Sequence, residues 1–521
     1  MALPDRDNST KYTHPQETNI LNAHKAMQYD GQGRPILRTT SVPSSLSASS
    51  TAFGENISVP ITPIVQLDAL YGLDPQEFET FNALGGTAES TGLLFKCSTG
   101  TSGYGYGVVR SRRLIRYRPG QGALVRFTAA FENPQAGVSL RAGMISQEQS
   151  IAIGYNGTRF GVLRANGGKA HIAKLTVTGT GNGTATITLN GVNFSVPITN
   201  GSTTEAAVEI ASFSFAGWIT EQQDNTVFFL SNTLGPKSGA FAMAGTGSGT
   251  FTTSQAGVDQ TEHWTYQEDF ELDKLNGTGV SGITMDPSKL NVFTIDFRWL
   301  GVGEIRFAME NPNTGDIFFF HFEHFSNRNT SPHLDNPSFK IGYAAYNTTS
   351  GTITNSYVTG ASMMAAIEGL TELNAFPTAT GSVESGNLTA NDLHHVMSIK
   401  NSRIHRDKIN LRLQTFLRLS LSFEGNDPAQ VYLILDGGLS VPHEFARITE
   451  WSSTLVCNEV GTFDVTVGKP LAVYALSSNG AGTFDMESLR LTLPPNAVLS
   501  VAIRSGQAMA GVRGALTWLE T

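Results

Sequence analysis

The chain has 521 residues, which is too long for one ordinary domain, and we expect about three or four. Hydrophobic residues make up 40% and charged residues only 15%, and the 54 glycines are typical of short strands joined by tight turns. The formal net charge of −9 argues against a general role in nucleic-acid binding, because phosphates are bound by clustered cations in excess.

The cysteines and the first residues bear on the cellular compartment. Cys97 and Cys457 lie far apart and form no CxxC pair, so we expect no disulfide framework. The sequence after Met1 has no apolar signal-peptide segment, and no run approaches the roughly 18 apolar residues of a membrane span. We therefore expect folding in a reducing cytoplasm and no membrane insertion.

Residues 1–60 are polar and show no periodicity. Such a segment cannot bury enough apolar area by itself to offset the entropy that ordering costs. It is either disordered or an extended N-terminal arm that becomes ordered against a neighbouring subunit, and we favour the arm.

Residues 61–400 are predicted to form a β-sandwich domain interrupted by an insertion. The segment 149–164 alternates on both sides of Asn156-Gly157, the residue pair that favours a type I′ hairpin turn. Apolar residues alternate with polar ones in Val292–Trp299, again in 304–309, and a third strand follows over Ile317–Phe325. Three consecutive antiparallel strands with one apolar face indicate half of a sandwich.

Residues 172–258 are predicted to be the inserted module, a small α/β unit of order ββαββ. A hairpin turns at Asn190-Gly191, and the capping-box sequence Ser202–Glu205 opens a helix predicted over Ala206–Phe215. Two strands follow, over Thr226–Ser231 and Ala240–Thr252.

Residues 401–521 are predicted to form a C-terminal β-sandwich. Alternation begins at Ile409 and continues through Leu417, Leu419, Leu421 and Phe423. The remaining predicted strands are Val431–Leu435, Leu471–Ala475, Leu489–Leu493, Val498–Ile503 and Ala515–Leu519. The predicted fold class is therefore mostly β: antiparallel sandwiches with one inserted α/β module and an extended arm.

Two groups of histidines could carry chemistry. In His321-Phe322-Glu323-His324, a strand directs His321 and Glu323 to one side and His324 to the other, so three metal ligands could not converge without a bulge. We expect a solvated or interface strand there. The second group and its acidic neighbours fall in a predicted interdomain connection without ligand spacing: His394, His395, His405, Asp392 and Asp407. We expect surface histidines, with a pH-responsive contact as the alternative.

Neither the acidic nor the glycine-rich segments indicate a specific function. The carboxylates of Glu268, Asp269, Glu271 and Asp273 could form a pair for sugar hydrolysis or a Ca²⁺ loop, but nothing fixes their separation. The glycine-rich stretches 179–183 and 245–249 lack the phosphate-loop pattern and are predicted to be turns or linkers.

A set of arginines alternates along a predicted strand, after an aromatic, glycine-rich stretch at 103–107: Arg110, Arg112, Arg116 and Arg118, with Arg113 on the other face. This arginine stripe could stack on bases, but the negative net charge favours an interface with acidic groups of a neighbour. We predict that the chain is not an enzyme, that it has no catalytic, cofactor-binding or metal-binding residues, and that it binds no cofactor.

Several turn and core segments together are similar to a family of virion structural proteins, of tail-fibre, baseplate or capsid-associated type, found in tailed bacteriophages and some large DNA viruses. The resemblance spans roughly residues 100–521, and 172–258 resembles a small module inserted in phage tail and capsid-associated proteins. The segments are Arg116–Gly122, Arg126–Phe131, Leu272–Gly279, Gly301–Gly303, Glu310–Gly315, Asn336–Phe339 and Leu516–Leu519.

The resemblance implies a structural component of a virus particle, located in the virion after synthesis in the host cytoplasm. We expect a homo-oligomeric tail or tail-fibre protein, anchored through its arm and bound to itself and to other virion proteins, but not to nucleic acid. Two alternatives remain open: a capsid decoration or vertex protein, and a receptor-binding protein that holds a host glycan through Trp218, Trp264 or Tyr104. A polysaccharide depolymerase acting through the 268–273 carboxylates is the least favoured hypothesis.

Overall fold

In the computed structural model the chain consists of two units, residues 1–60 and 61–521. In the first unit only two short paired strands are described, and the rest of the predicted arm lies outside the described residues. The structure describes residues 28–29, 35–36, 60–75, 77–199, 201–369, 376–380, 383–384, 386–439, 444–458, 463–464, 468–489 and 491–520.

The described residues are mostly β-strand, as predicted, with one α-helix. None of the helices among them has the length and apolar character needed to cross a bilayer. Up to the insertion the strands are β1 (Gln28–Tyr29), β2 (Pro35–Ile36), β3 (Ile61–Asp68), β4 (Phe78–Ala83), β5 (Thr87–Thr91), β6 (Leu94–Ser98), β7 (Tyr106–Ser111), β8 (Ala123–Glu132), β9 (Val138–Ile145), β10 (Ser150–Asn156) and β11 (Arg159–Asn166).

The inserted module follows, and then the chain returns to the first sandwich. The module contains β12 (Ala170–Gly179), β13 (Gly183–Leu189), β14 (Val192–Ile198), α1 (Thr203–Ser212), β15 (Trp218–Gln223), β16 (Thr226–Leu234), β17 (Ala242–Gly245) and β18 (Ser248–Gln255). The returning strands are β19 (Thr261–Tyr266), β20 (Asn291–Phe297), β21 (Ile305–Glu310), β22 (Ile317–Glu323), β23 (Ile341–Asn347), β24 (Tyr357–Gly360) and β25 (Ser362–Glu368), with a 3₁₀ turn at Gln267–Asp269.

The last part of the chain is again all strand apart from a 3₁₀ turn at Glu487–Leu489. Its strands are β26 (Phe376–Ala379), β27 (Val383–Glu384), β28 (His394–Asn401), β29 (Ile404–His405), β30 (Lys408–Ile409), β31 (Gln414–Glu424), β32 (Ala429–Leu435), β33 (Gly438–Leu439), β34 (Ala446–Arg447), β35 (Thr454–Cys457), β36 (Phe463–Asp464), β37 (Lys469–Leu476), β38 (Ala481–Asp485), β39 (Thr492–Leu493), β40 (Val498–Ser505) and β41 (Ala510–Glu520).

The first sandwich packs two antiparallel sheets over one apolar core. One sheet has the order β19-β11-β10-β9-β23-β7-β4, and the other has the order β22-β21-β20-β8-β24-β6-β5 with β25 and β3 attached through β8. Phe293, Ile295 and Phe297 of β20 are fully buried, as their alternation predicts. Thr294 and Asp296 on the opposite face are also buried, so this strand is covered on both sides. The predicted 149–164 hairpin is present, but Asn156 pairs with Arg159, which moves the two-residue turn one position along.

The inserted module has more strands than the predicted ββαββ order. β12 and β15 were not predicted, and the single strand predicted over Ala240–Thr252 is divided into β17 and β18. Its two sheets, β15-β16-β12-β18 and β14-β13-β17, enclose a core with α1. The capping box is confirmed, but α1 starts at Thr203 and ends at Ser212, three residues earlier than expected at each end. Segments 179–183 and 245–249 are the turns after β12 and after β17, and they lie against each other.

The C-terminal sandwich packs β26-β41-β31-β38, with β27 and β39, against β34-β35-β28-β40-β32-β37. Its sheets therefore include strands from residues 376–401, before the expected start at 401. A bulge between Phe416 and Arg418 turns Leu417 away from the core and puts Phe416 in its place, because a bulge shifts the alternation by one residue. The predicted Leu489–Leu493 strand is only two residues long.

Candidate functional site

The segment His321–His324, predicted to be a solvated or interface strand, lies at the end of β22, which is the edge strand of its sheet. A bulge opposite Phe307 and Ala308 buries both Phe320 and His321, contrary to a simple alternation. The His321 ring stacks on Phe270 and Phe307, with centroids 5.5 and 6.0 Å apart. Burial lowers the pKa of His321 to about 4, so the ring is neutral at physiological pH.

The other members of this segment each have a separate partner. Glu323 accepts a hydrogen bond at 3.0 Å from Arg164 across the edge of the sandwich, and burial raises the pKa of Glu323 against that ion pair. His324 lies between Glu304, 3.0 Å from Nδ1, and Glu271, 3.3 Å from Nε2. In the part of the chain that the structure describes, no three His, Cys, Asp or Glu side chains are grouped so that they could hold a metal.

Two of the three histidines of the second group are not on the surface, which corrects that expectation for His394 and His395. His394 and His395 lie in β28, inside the C-terminal sandwich, and both are buried. His395 shares a polar chain with Ser398, 2.7 Å from its Nε2, and Ser398 in turn contacts Ser500 at 2.7 Å. His405 lies apart from them in the β29–β30 hairpin. The expected loop is a strand because both faces of β28 are covered.

The four carboxylates from 268 to 273 have different surroundings. Glu268 forms an exposed ion pair with Arg159, and Glu271 contacts His324. Asp273 is buried and accepts the backbone N–H groups of Leu275 at 2.8 Å and Ser281 at 2.7 Å, which closes the loop after β19. The Asp273 carboxylate therefore caps this loop.

The arginine stripe does not form one face of a strand, because β7 ends at Ser111. Arg110 pairs with Glu79 at 2.9 Å, and Arg112 pairs with Asp436 of the C-terminal sandwich at 3.3 Å. Arg113 is exposed, and Arg116 lies in the irregular segment that follows. Arg110 and Arg112 thus have acidic partners, and these partners belong to the same chain.

The aromatic residues named for glycan binding are not brought together. Trp218 packs half-buried against His171 and Phe241 in the module. Tyr104 is 57% exposed at a turn with φ of 57°, and Trp264 lies on β19. Of the three, only Trp264 is part of a larger polar and aromatic surface.

That surface lies near β19, on the side of the seven-stranded sheet that faces away from the sandwich core. We call it the outer face, and it contains Arg141, Arg159, Glu262, Trp264 and Tyr266. Trp264 donates its indole N–H to Glu262 at 3.0 Å, and Glu262 accepts from Arg141 at 2.5 Å. The Trp264 and Tyr266 rings are parallel within 8°, with centroids 6.4 Å apart. The Arg159 guanidinium lies 3.4 Å over the Tyr266 ring, a cation–π contact. Parallel rings beside charged donors and acceptors are the features that sugar-binding surfaces combine.

A buried polar junction joins the module to the C-terminal sandwich, and sequence reasoning missed it. The Glu221 side chain is fully buried and accepts the N–H groups of Arg403 at 2.6 Å and Ile404 at 3.1 Å. Lys400 supplies the opposite charge at 3.5 Å. Gln223 donates to Ile404 at 2.8 Å. The polar run Glu221–Gln223 at the end of a strand was the available signal, but it is equally typical of an exposed strand end.

Comparisons with known proteins add little to these observations. No family model matches the chain, and no curated protein matches it. Among solved structures, the chain is similar to lectin UEA-II complexed with galactose, at 8% identity and a TM-score of 0.20, over 58% of this chain and 100% of that one. It is also similar to a Bauhinia forficata lectin in complex with GalNAc, at 7% identity and a TM-score of 0.20, over 60% of this chain and 98% of the lectin. No conclusion follows from TM-scores this low.

Proposed function

We propose that this chain is a structural component of a virus particle, a homo-oligomeric tail or tail-fibre protein anchored through residues 1–60. The observation that carries the proposal is the buried junction at Glu221, which holds the module rigidly on the C-terminal sandwich. A symmetric assembly needs subunits whose domains keep fixed relative positions, because any freedom between them is lost at an entropic cost on assembly.

The positions of the family-like segments support the same proposal. Leu272–Gly279 contains Asp273, the buried cap of its loop. Glu310–Gly315 forms the turn after β21, closed by the Gly315 N–H donating to Asn311 at 2.8 Å. In Asn336–Phe339, Phe339 is buried in the first core. These residues determine architecture, so the resemblance bears on a shared structural role rather than on a shared activity.

Locating the chain in purified particles tests this proposal. We expect mass spectrometry of the particles to find the chain, and immunogold electron microscopy to label the tail. Light scattering on the purified full-length chain should give a closed oligomer with a defined subunit number. Labelling of the capsid surface would support a decoration or vertex protein instead, and absence from particles would refute the virion role.

A second candidate is receptor binding, which the outer face specifically favours. The parallel Trp264 and Tyr266 rings, with Arg159 and Glu262 beside them, could hold a neutral sugar ring and its hydroxyls. A glycan array should then show binding that Trp264→Ala abolishes. Tyr71→Ala is the control, because Tyr71 is 92% exposed and outside this surface. Binding that is equal in all three proteins, or absent from the parent chain, would eliminate the outer face as a receptor site.

A further inference from the structure

The seven-stranded sheet of the first sandwich ends at β19, which pairs with β11 on one side. Within the described part of the chain, no backbone hydrogen bond joins the other side of β19 to any residue. The first three residues of the strand are exposed and the last three are half-buried. Because alternate residues of an edge strand direct their N–H and C=O groups away from the sheet, β19 presents a row of unpaired backbone donors and acceptors.

The edge at β19 lacks the features that normally prevent one edge strand from pairing with another, namely proline, lysine, a bulge or a covering loop. Its register against β11 is unbroken, and the strand contains neither proline nor lysine. The edge strand β22, by contrast, has a bulge, and the N–H groups of Leu272 and Asp273 both donate to the Phe320 carbonyl at 3.1 Å. The edge strand β37 has a bulge and contains Lys469 and Pro470. The β19 edge is therefore open to a partner strand where these two edges are protected.

The side chains of β19 give its two ends opposite charges. Glu262, Trp264 and Tyr266 alternate on the outer face, with the carboxylate near the start of the strand. At the end of the strand, the Arg159 guanidinium lies 3.4 Å over the Tyr266 ring. The Glu262 side chain is 35% exposed and that of Arg159 is 50% exposed. Both already have partners within the chain, but a carboxylate and a guanidinium each retain further acceptor or donor positions.

An antiparallel copy of the same strand would match these ends. Residues opposite each other in an antiparallel pair lie on the same face, so a strand that pairs with its own copy about a two-fold axis has one residue opposite itself. With Trp264 at the axis, Glu262 lies opposite Tyr266 of the second copy, and therefore beside the second copy's Arg159. With His263 at the axis, Glu262 would lie opposite Trp264 and away from that guanidinium. The charges therefore favour the register centred on Trp264.

We propose that two copies of this chain pair antiparallel through β19, about a two-fold axis at Trp264, and join their seven-stranded sheets into one continuous sheet. A two-fold contact uses the same surface on both copies, as the opposite charges at the two ends of β19 allow. The inference rests on the proposed homo-oligomer and names an interface within it, so the oligomer has an even number of subunits. The pairing uses the backbone edge of β19, whereas a sugar would contact the outer face.

Light scattering on the full-length chain and its variants tests this interface. Trp264→Lys places two lysines opposite each other at the axis, and like charges in directly opposed positions destabilise strand pairing. We expect an even subunit number in the parent and half that number in Trp264→Lys, with circular dichroism showing a folded protein. Val473→Lys is the control, because Val473 is 51% exposed on β37 and its variant should keep the parent mass.

Disulfide cross-linking tests the register independently. Trp264→Cys brings two cysteines directly opposite each other, where Cβ atoms lie about 5 Å apart, and mild oxidation should link the copies. His263→Cys is the matched control, because its two cysteines are offset by two residues, about 7 Å along the strands, and should not link. Cys97 and Cys457 are both buried and should not contribute.

The outcomes separate this interface from the homo-oligomer on which it rests. A monomeric parent chain would contradict both. An oligomeric parent whose subunit number is unchanged in Trp264→Lys would overturn the β19 interface alone. Absence of cross-linking in Trp264→Cys, or equal cross-linking in His263→Cys, would also overturn the proposed pairing.

Discussion

Replacing Glu221 by glutamine tests the rigid junction on which the structural role depends. The amide keeps the shape of the side chain but removes the charge, and its NH₂ group faces one of the two backbone N–H donors while its oxygen accepts from the other. Two charged hydrogen bonds, at 2.6 and 3.1 Å, would weaken, and Lys400 would be left 15% exposed without its counter-ion. Because removing one partner of a buried pair leaves an uncompensated charge, we expect a loss of about 3 kcal/mol in the free energy of unfolding.

The measurement is urea unfolding combined with hydrogen exchange at the Arg403 and Ile404 amides, which report on the junction directly. Glu221→Gln should speed exchange at both amides, while Lys400→Met in the same background should restore part of the lost stability. Glu268→Gln removes an exposed ion pair and should change neither quantity measurably. A loss below about 0.5 kcal/mol with unchanged exchange would refute the importance given to the junction.

Three further changes probe the fold. Burial lowers the pKa of both His321 and His333 to about 4, so the unfolded chain takes up protons first on acidification. The stability contributed by these histidines should therefore be complete above about pH 6.5 and fall toward pH 4. In the double variant His321→Phe, His333→Phe, the urea midpoint should fall less over that range. Gly342→Ala would place Cβ 2.1 Å from the Val109 carbonyl oxygen, so we expect urea unfolding to show a loss of about 3 kcal/mol in the free energy of unfolding. In the control Gly386→Ala, the new Cβ meets no atom within 4 Å and stability should not change. Ser202→Ala removes the cap of α1 and should cost about 1 kcal/mol of module stability, with unchanged urea unfolding contradicting the cap.

The sequence was sufficient where local periodicity and turn chemistry agree. Phe293, Ile295 and Phe297 alternate toward one core, and Asn190-Gly191 joins β13 and β14 with both residues at positive φ. The Ser202 cap likewise depends only on residues three positions apart. Such features are determined by neighbours in the chain, so one sequence contains them.

Errors arose where distant segments decide the outcome. The bulges that reorient Leu417 and His321 depend on the register of the partner strand, which alternation alone cannot reveal. β28 was mistaken for a connection because its histidines are buried by strands far away in sequence. The position of Glu221 likewise depends on contacts between domains, and a lone charged residue has no periodicity to mark it.

The entry and exit of the module determine how the chain would respond to mechanical load. Lys169 and Val258 are joined by two backbone hydrogen bonds of 2.9 Å, and β11 pairs with β19 directly beyond them. Tension applied along the backbone is therefore transmitted from β11 to β19 through these hydrogen bonds and does not act on the module. The module could be extended only after these hydrogen bonds break, and until then Glu221 also holds it to the C-terminal sandwich.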